Sequence, residues 1–224
     1  MPNYVRNILC VVSDDKNEVN KVFDSIRTED RLIDFNKIIP CAKSLEDLFD
    51  VCDRVKKIAL YMCRELFNPS LRNEIVREYD SMPIEKKEEF TNEARVFLHN
   101  IAEYGYGTGY HWRLANWNTK WNACSTERMN ENTICFETAW SVPTKVFVAL
   151  SQKFPNIKLE CRYADEDTGY NCGRFSVING EFVDEFNPKG GSNEAYEFSL
   201  SIWKEFQSCY KLTENGYVSV DEEE

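Results

Sequence analysis

Three groups of residues have side chains able to do chemistry or grip a ligand. In "YADEDTGYNCG" the consecutive Asp165, Glu166 and Asp167 offer carboxylates, the donor type that gathers a divalent cation. In "NWNTKWNA", residues 116 to 123, Trp117 and Trp121 flank Lys120, a combination suited to stacking on bases or anchoring a protein contact. Nine cysteines, with His99 and His111, supply the thiols and imidazoles of metal sites and of nucleophilic catalysis.

The chemical readings weaken on inspection. A calcium loop alternates its oxygen ligands and ends in a distal glutamate, which the acidic run lacks, so a solvated loop is the plainer reading. No two cysteines have the short gap of a zinc site, and no metal or other cofactor is expected. Cys41, Cys52 and Cys63 fall eleven apart, as do Cys124 and Cys135, and Cys161 and Cys172. Three helical turns span about eleven residues, which predicts Cys52 and Cys63 on one buried helix face. An odd number of cysteines in a chain of this length reads as reduced thiols. Catalysis by a thiol needs an imidazole and a group to orient it, and no set of nucleophile, base and oxyanion donors is legible, so an enzyme is not expected. "YGYGTGY", residues 104 to 110, lacks the lysine and preceding strand of a phosphate-cradling loop and reads as a flexible exit from a helix.

The tryptophan segment keeps three readings. On a strand, Trp117 and Trp121 share a side with Thr119 between them, while Asn118, Lys120 and Asn122 face the other way. The tryptophans then form core beneath the helix layer, or an exposed aromatic and basic sheet face that stacks single-stranded bases, or an anchor for a protein partner. Charge bears on the choice. The net charge is −11; residues 160 to 224 carry 15 acidic and 5 basic side chains, whereas residues 105 to 159 carry 3 acidic and 6 basic ones. Phosphate binding over the whole surface is thereby disfavoured, and a basic patch around the tryptophans is retained.

These residues need elements to position them. "NILCVVS", residues 7 to 13, reads as a buried strand, "NEVNKVFDSI" as an amphipathic helix and "RLIDFNKIIP", residues 31 to 40, as a strand stopped by Pro40. An apolar stripe from Leu45 to Leu66 predicts one long helix with Ser44 as N-cap. "SLRNEIVREY" predicts a shorter helix, and a third runs from Pro83 to Gly105. Residues 133 to 140 then alternate as a strand with Ile134, Phe136, Thr138 and Trp140 on one face. Pro143 opens a helix through Val146, Phe147 and Leu150, and "IKLECRY" is a further strand. Asn179-Gly180 joins two apolar arms, a strong hairpin signal, and a last helix uses Ala195, Ser199, Ile202, Trp203 and Phe206. The end, "VSVDEEE", reads as frayed.

The pattern predicts an α+β fold: a ferredoxin-like split β-α-β antiparallel sheet with a helical insertion and an appended hairpin and C-terminal helix. Residues 1–43 form the first half of the core, 44–104 the helical insertion, 105–212 the second half with the hairpin and helix, and 213–224 an acidic tail.

"DFNKIIP" at 34 to 40, "NWNTKWNA" at 116 to 123, "FETAWSVP" at 136 to 143 and "FPNIKLECRYADED" at 154 to 167 resemble, in order, the motifs of the YubB-like family of phage and plasmid proteins with a ferredoxin-like domain. Asn118 stands where that pattern usually has glycine, and asparagine is the residue that next best tolerates positive φ. The resemblance implies a gene carried on mobile DNA; it brings no catalytic residues.

Two functions are expected, with an uncharacterised enzyme as the remaining alternative. The first is a non-enzymatic interaction protein of a mobile element that presents acidic surface to a host or element-encoded protein, such as a defence nuclease or other nucleic-acid-binding protein, as an anti-CRISPR protein would. Its interaction residues are Trp117, Lys120, Trp121, Asp165, Glu166 and Asp167. The second is a single-stranded nucleic-acid-binding module using the basic 105–159 stretch. The opening "MPNYVRNILCVVSDD" lacks a basic leader and a cleavage site, and no run of about 18 apolar residues occurs, so a cytoplasmic protein without a membrane partner is expected.

Overall fold

The computed structural model describes residues 3–63 and 69–220. In chain order the elements are β1 (Tyr4–Val12), α1 (Lys16–Ile26), α2 (Lys43–Asp47), α3 (Asp53–Met62), α4 (Pro69–Asp80), α5 (Ile84–Tyr104), α6 (Gly109–Trp117), β2 (Cys124–Asn130), β3 (Thr133–Ala139), α7 (Thr144–Lys153), β4 (Lys158–Asp165), β5 (Cys172–Ile178), β6 (Glu181–Phe186), α8 (Asn193–Ile202), β7 (Tyr210–Thr213) and β8 (Gly216–Ser219). They fall into two compact units, Met1–Pro40 with Ala115–Glu224, and Cys41–Leu114. The second is wider than the 44–104 block expected from the pattern. No helix among the described residues is long and apolar enough to cross a membrane.

In the first unit, six strands form one antiparallel sheet in the order β2-β3-β1-β4-β5-β6. β1, α1, β2, β3, α7 and β4 make the split β-α-β of a ferredoxin-like fold, and the β5–β6 hairpin extends the sheet beyond β4. Val5, Leu9 and Val11 alternate on the buried face of β1, as period two demands. On that face Phe147 of α7 stacks on Phe136 and meets Phe175 edge-on. On the opposite face α8 packs Ala195 and Ile202, followed by Trp203, against Ala164, Cys172, Tyr4 and Ile8.

Several expectations need correction here. Residues 31–40 are not a strand: Asp34 caps a 3-10 turn, Phe35–Lys37, by accepting from the Asn36 N–H, and this turns Phe35 into the core. A short apolar run fits a buried turn as well as a strand. The second strand of the ferredoxin-like core is instead β2, an irregular and largely exposed edge whose "CSTERMN" shows no apolar alternation. Trp140 lies just past β3, with φ 67°, and so leaves the face expected for it. Tyr210 to Ser219 form a hairpin, stacked through Tyr217 on Tyr196 of α8, in place of the expected frayed end; residues 221–224 lie outside the described residues.

In the second unit, the long helix divides into α2 and α3. The Leu48 and Phe49 carbonyls accept from the Gly109 and Tyr110 N–H groups at the start of α6 rather than only from their own helix. That approach requires glycine, because a Cβ at Gly109 would sit 2.3 Å from the Leu45 carbonyl oxygen. The glycine-rich segment is thus a packed junction, not a flexible exit. Ser44 does not cap; its hydroxyl donates to Asn100 Oδ1 on α5 at 2.7 Å, while Ala42 occupies the N-cap. Cys52 and Cys63 flank α3 at its two ends and are exposed, so they share no buried face. Leu66, the last residue of the expected stripe, lies outside the described residues.

Candidate interaction site

The segment after α6 is a loop, not a strand, and it separates the two tryptophans. Trp117, the last residue of α6, is 0% exposed, donates from Nε1 to the Ile39 carbonyl at 2.9 Å and packs edge-on to Phe35. It belongs to the core. Asn118 then takes φ 66°, the left-handed turn expected of it. A polar strut fixes this turn: Asn118 Nδ2 donates to the Val142 carbonyl, the Ser141 hydroxyl to the Asn118 carbonyl, and the buried Thr119 hydroxyl to the Ala139 carbonyl. Residues 118 and 119 are thereby tied to the end of β3.

This tie places Lys120 over two indoles, 4.8 Å from the Trp140 ring centre and 5.5 Å from that of Trp121. Both lie within the reach of a cation–aromatic attraction. Trp121 is partly buried and leans on the Tyr4 ring at 6.0 Å. Its indole nitrogen is buried with no hydrogen-bond partner among the described residues. Burial, with Glu137, pushes the Cys124 thiol up. Trp140 is 42% exposed. Strand alternation predicts it inward, and it is the site residue that sequence reasoning misses; no spacing signal marks a residue one step past a strand end.

The acidic run meets the same end of the sheet. Asp165 is only 6% exposed: Oδ1 accepts from Asn3 Nδ2 at 3.1 Å and from the Asp167 N–H at 2.9 Å, and Oδ2 accepts from Asn171 Nδ2 at 2.9 Å. Glu166 Oε1 accepts from the Tyr4 N–H at 3.0 Å. Only Asp167 is exposed, so the three carboxylates are not one solvated patch. Asp165 and Glu166 organise the loop, whose unpaired backbone donors near the sheet end they satisfy. Asn171, at φ 41°, closes the cluster by donating also to the Trp140 carbonyl at 3.0 Å. Of the expected interaction residues, Lys120, Trp121, Asp165, Glu166 and Asp167 converge on this end, whereas Trp117 is structural.

The thiols and imidazoles do not assemble. The nine cysteines are free. Burial raises the pKa of Cys41, Cys161 and Cys172, and that of Cys135 to about 11, the opposite of an activated nucleophile. His111 Nδ1 pairs with the Thr108 hydroxyl at 2.8 Å and His99 is exposed. Among the described residues no group of three His, Cys, Asp or Glu side chains is placed to hold a metal.

Fold and site together define an α+β protein with a ferredoxin-like sheet and an aromatic, lysine-capped sheet end. Residues 116–211 match the family described as the ferredoxin-like domain in Api92-like protein, a span from the end of α6 to the start of β7. A crystal structure of a protein Api92 from Yersinia pseudotuberculosis aligns with 85% of this chain and 99% of its own, at 11% identity and a TM-score of 0.41. No curated protein matches the chain.

Proposed function

We propose that this is a non-enzymatic interaction protein that grips a protein partner through Trp140, Lys120 and Trp121. The observation that carries this reading is Trp140 itself, a bulky residue held at φ 67° and left 42% exposed. The left-handed region costs a non-glycine residue about 1–2 kcal/mol, so the fold sustains strain to keep an indole at its surface. Asn118 and Asn171, on either side, also have positive φ, and such outliers gather where geometry serves contact rather than packing. Tryptophan, with tyrosine and arginine, is enriched among the energetic anchors of protein interfaces.

The net charge of −11 supports a partner with a basic surface. A nucleic-acid-binding protein has such a surface, and for a gene carried on mobile DNA, as the YubB-like resemblance suggests, a host defence nuclease is the partner worth testing first. A second reading rests on the Lys120–Trp140 pair, which offers a base a stacking platform and a phosphate a cation. The raised pKa values of Cys41, Cys135, Cys161 and Cys172 weigh against those thiols as nucleophiles.

Affinity capture with the parent and with Trp140→Ala, followed by mass spectrometry and nuclease digestion of the eluate, tests the proposal. A protein retained by the parent, lost by Trp140→Ala and indifferent to nuclease is expected. Identical captures, or recovery only of single-stranded DNA or RNA, would overturn it.

A further inference from the structure

The outer edge of the sheet points to the kind of segment that the partner supplies. β6 pairs with β5 alone, and no backbone hydrogen bond joins residues 181–186 to any other described element. Its residues read Glu181, Phe182, Val183, Asp184, Glu185, Phe186; the first five are exposed, with Phe182 at 42% and Val183 at 53%. A register shift opposite Ser176 and Val177 leaves Val183 as the extra residue of a bulge. Glu181, Asp184 and Glu185 make no ion pair among the described residues, and the strand contains no basic side chain. An edge of six residues is roughly 20 Å long, with about half of its backbone donors and acceptors turned outward, a template for another strand.

Charge decides which strand. A second copy of this chain would bring its own three carboxylates alongside these, and like charges on adjacent strands are destabilising, so self-pairing is disfavoured. A basic segment meets the opposite situation: Glu181 and Asp184, opposite Ile178 and Ser176, share one face of the sheet, where alternate lysine or arginine side chains pair with them, while the apolar residues between cover Phe182, opposite Val177 on the other face. We infer that β6 accepts an extended, basic segment of a partner protein as an additional strand. This rests on the reading of the protein as an interaction module but not on Trp140 as its anchor.

The test uses the full chain and a synthetic octapeptide of alternating lysine and valine, with amide hydrogen exchange as the readout. The peptide should slow exchange across residues 181–186 at low salt. An analogue N-methylated at alternate residues keeps the charge but loses ladder donors, and should give no protection. Combined Glu181→Lys, Asp184→Lys and Glu185→Lys should weaken peptide binding by about tenfold or more, with β1 exchange unchanged as the check on folding. Equal protection by the N-methylated analogue would reduce the contact to charge alone and overturn strand addition. So would unchanged exchange at 181–186, or protection that arises from chain concentration without peptide, the sign of self-pairing. Trp140→Ala should bind the peptide like the parent, so loss of captured partner in that variant and loss of peptide protection report on separate claims.

Discussion

At the scale of single residues, two tryptophans have opposite settings, one enclosed and one 42% exposed. Trp117 is enclosed by Phe35 and its indole N–H is spent on Ile39, so Trp117→Ala should cost about 3–5 kcal/mol in denaturant unfolding. Trp140 holds a left-handed backbone that glycine takes without strain and a β-branched residue resists. Trp140→Gly should therefore unfold within about 1 kcal/mol of the parent, and Trp140→Val should be at least about 1 kcal/mol less stable than Trp140→Gly. Equal stability of the glycine and valine variants would remove the strain argument. The acidic run divides in the same way. Asp165→Ala removes the buried carboxylate that Asn3, Asn171 and the Asp167 N–H share and should cost about 1–3 kcal/mol, whereas Asp167→Lys, on an exposed side chain, should change stability by about 0.5 kcal/mol or less. Sequence alone could single out these residues but could not rank their burial. The ranking comes from Asn3, 162 positions away along the chain from Asp165.

At the scale of elements, legibility tracks periodicity. α1, α4, α5, α7, β4 and the β5–β6 hairpin are readable because apolar spacing, a first-turn proline or Asn179-Gly180 fixes them locally. β2 is not, since an edge strand buries little and needs no alternation; residues 31–40 mimic the missing strand because their apolar side chains enter the core from a turn. The break between α2 and α3 is hidden because the stripe continues through it, and its cause, Gly109, lies about sixty positions downstream in the chain. The sheet also has a titration signature. On β3, burial pushes the Cys135 thiol from 9.0 to about 11, and on β4 it pushes the Tyr163 phenol from 10.0 to about 12. In both cases the unfolded chain gives up its proton first. Stability from these groups is complete below about pH 9 and drains away as the pH rises through 11 and 12. Urea midpoints measured from pH 8 to 11 should fall above pH 9, and Cys135→Ala should flatten the first part of the decline. A midpoint independent of pH across that range would contradict the burial of both groups.

At the scale of the molecule, the proposed function joins an aromatic anchor, Trp140, to a net charge of −11. Charge steers encounter, so salt should slow association, while the anchor sets how long the complex lasts. The most direct check on this division is the binding kinetics of the captured partner with the parent and with Trp140→Ala at matched ionic strength, beside the thermal unfolding of both chains. In Trp140→Ala the dissociation rate should rise by about thirtyfold or more, as loss of an interface hot spot produces, with an association rate and a melting temperature close to the parent's. Dissociation at the parent's rate from a normally folded Trp140→Ala protein would contradict the role given to Trp140.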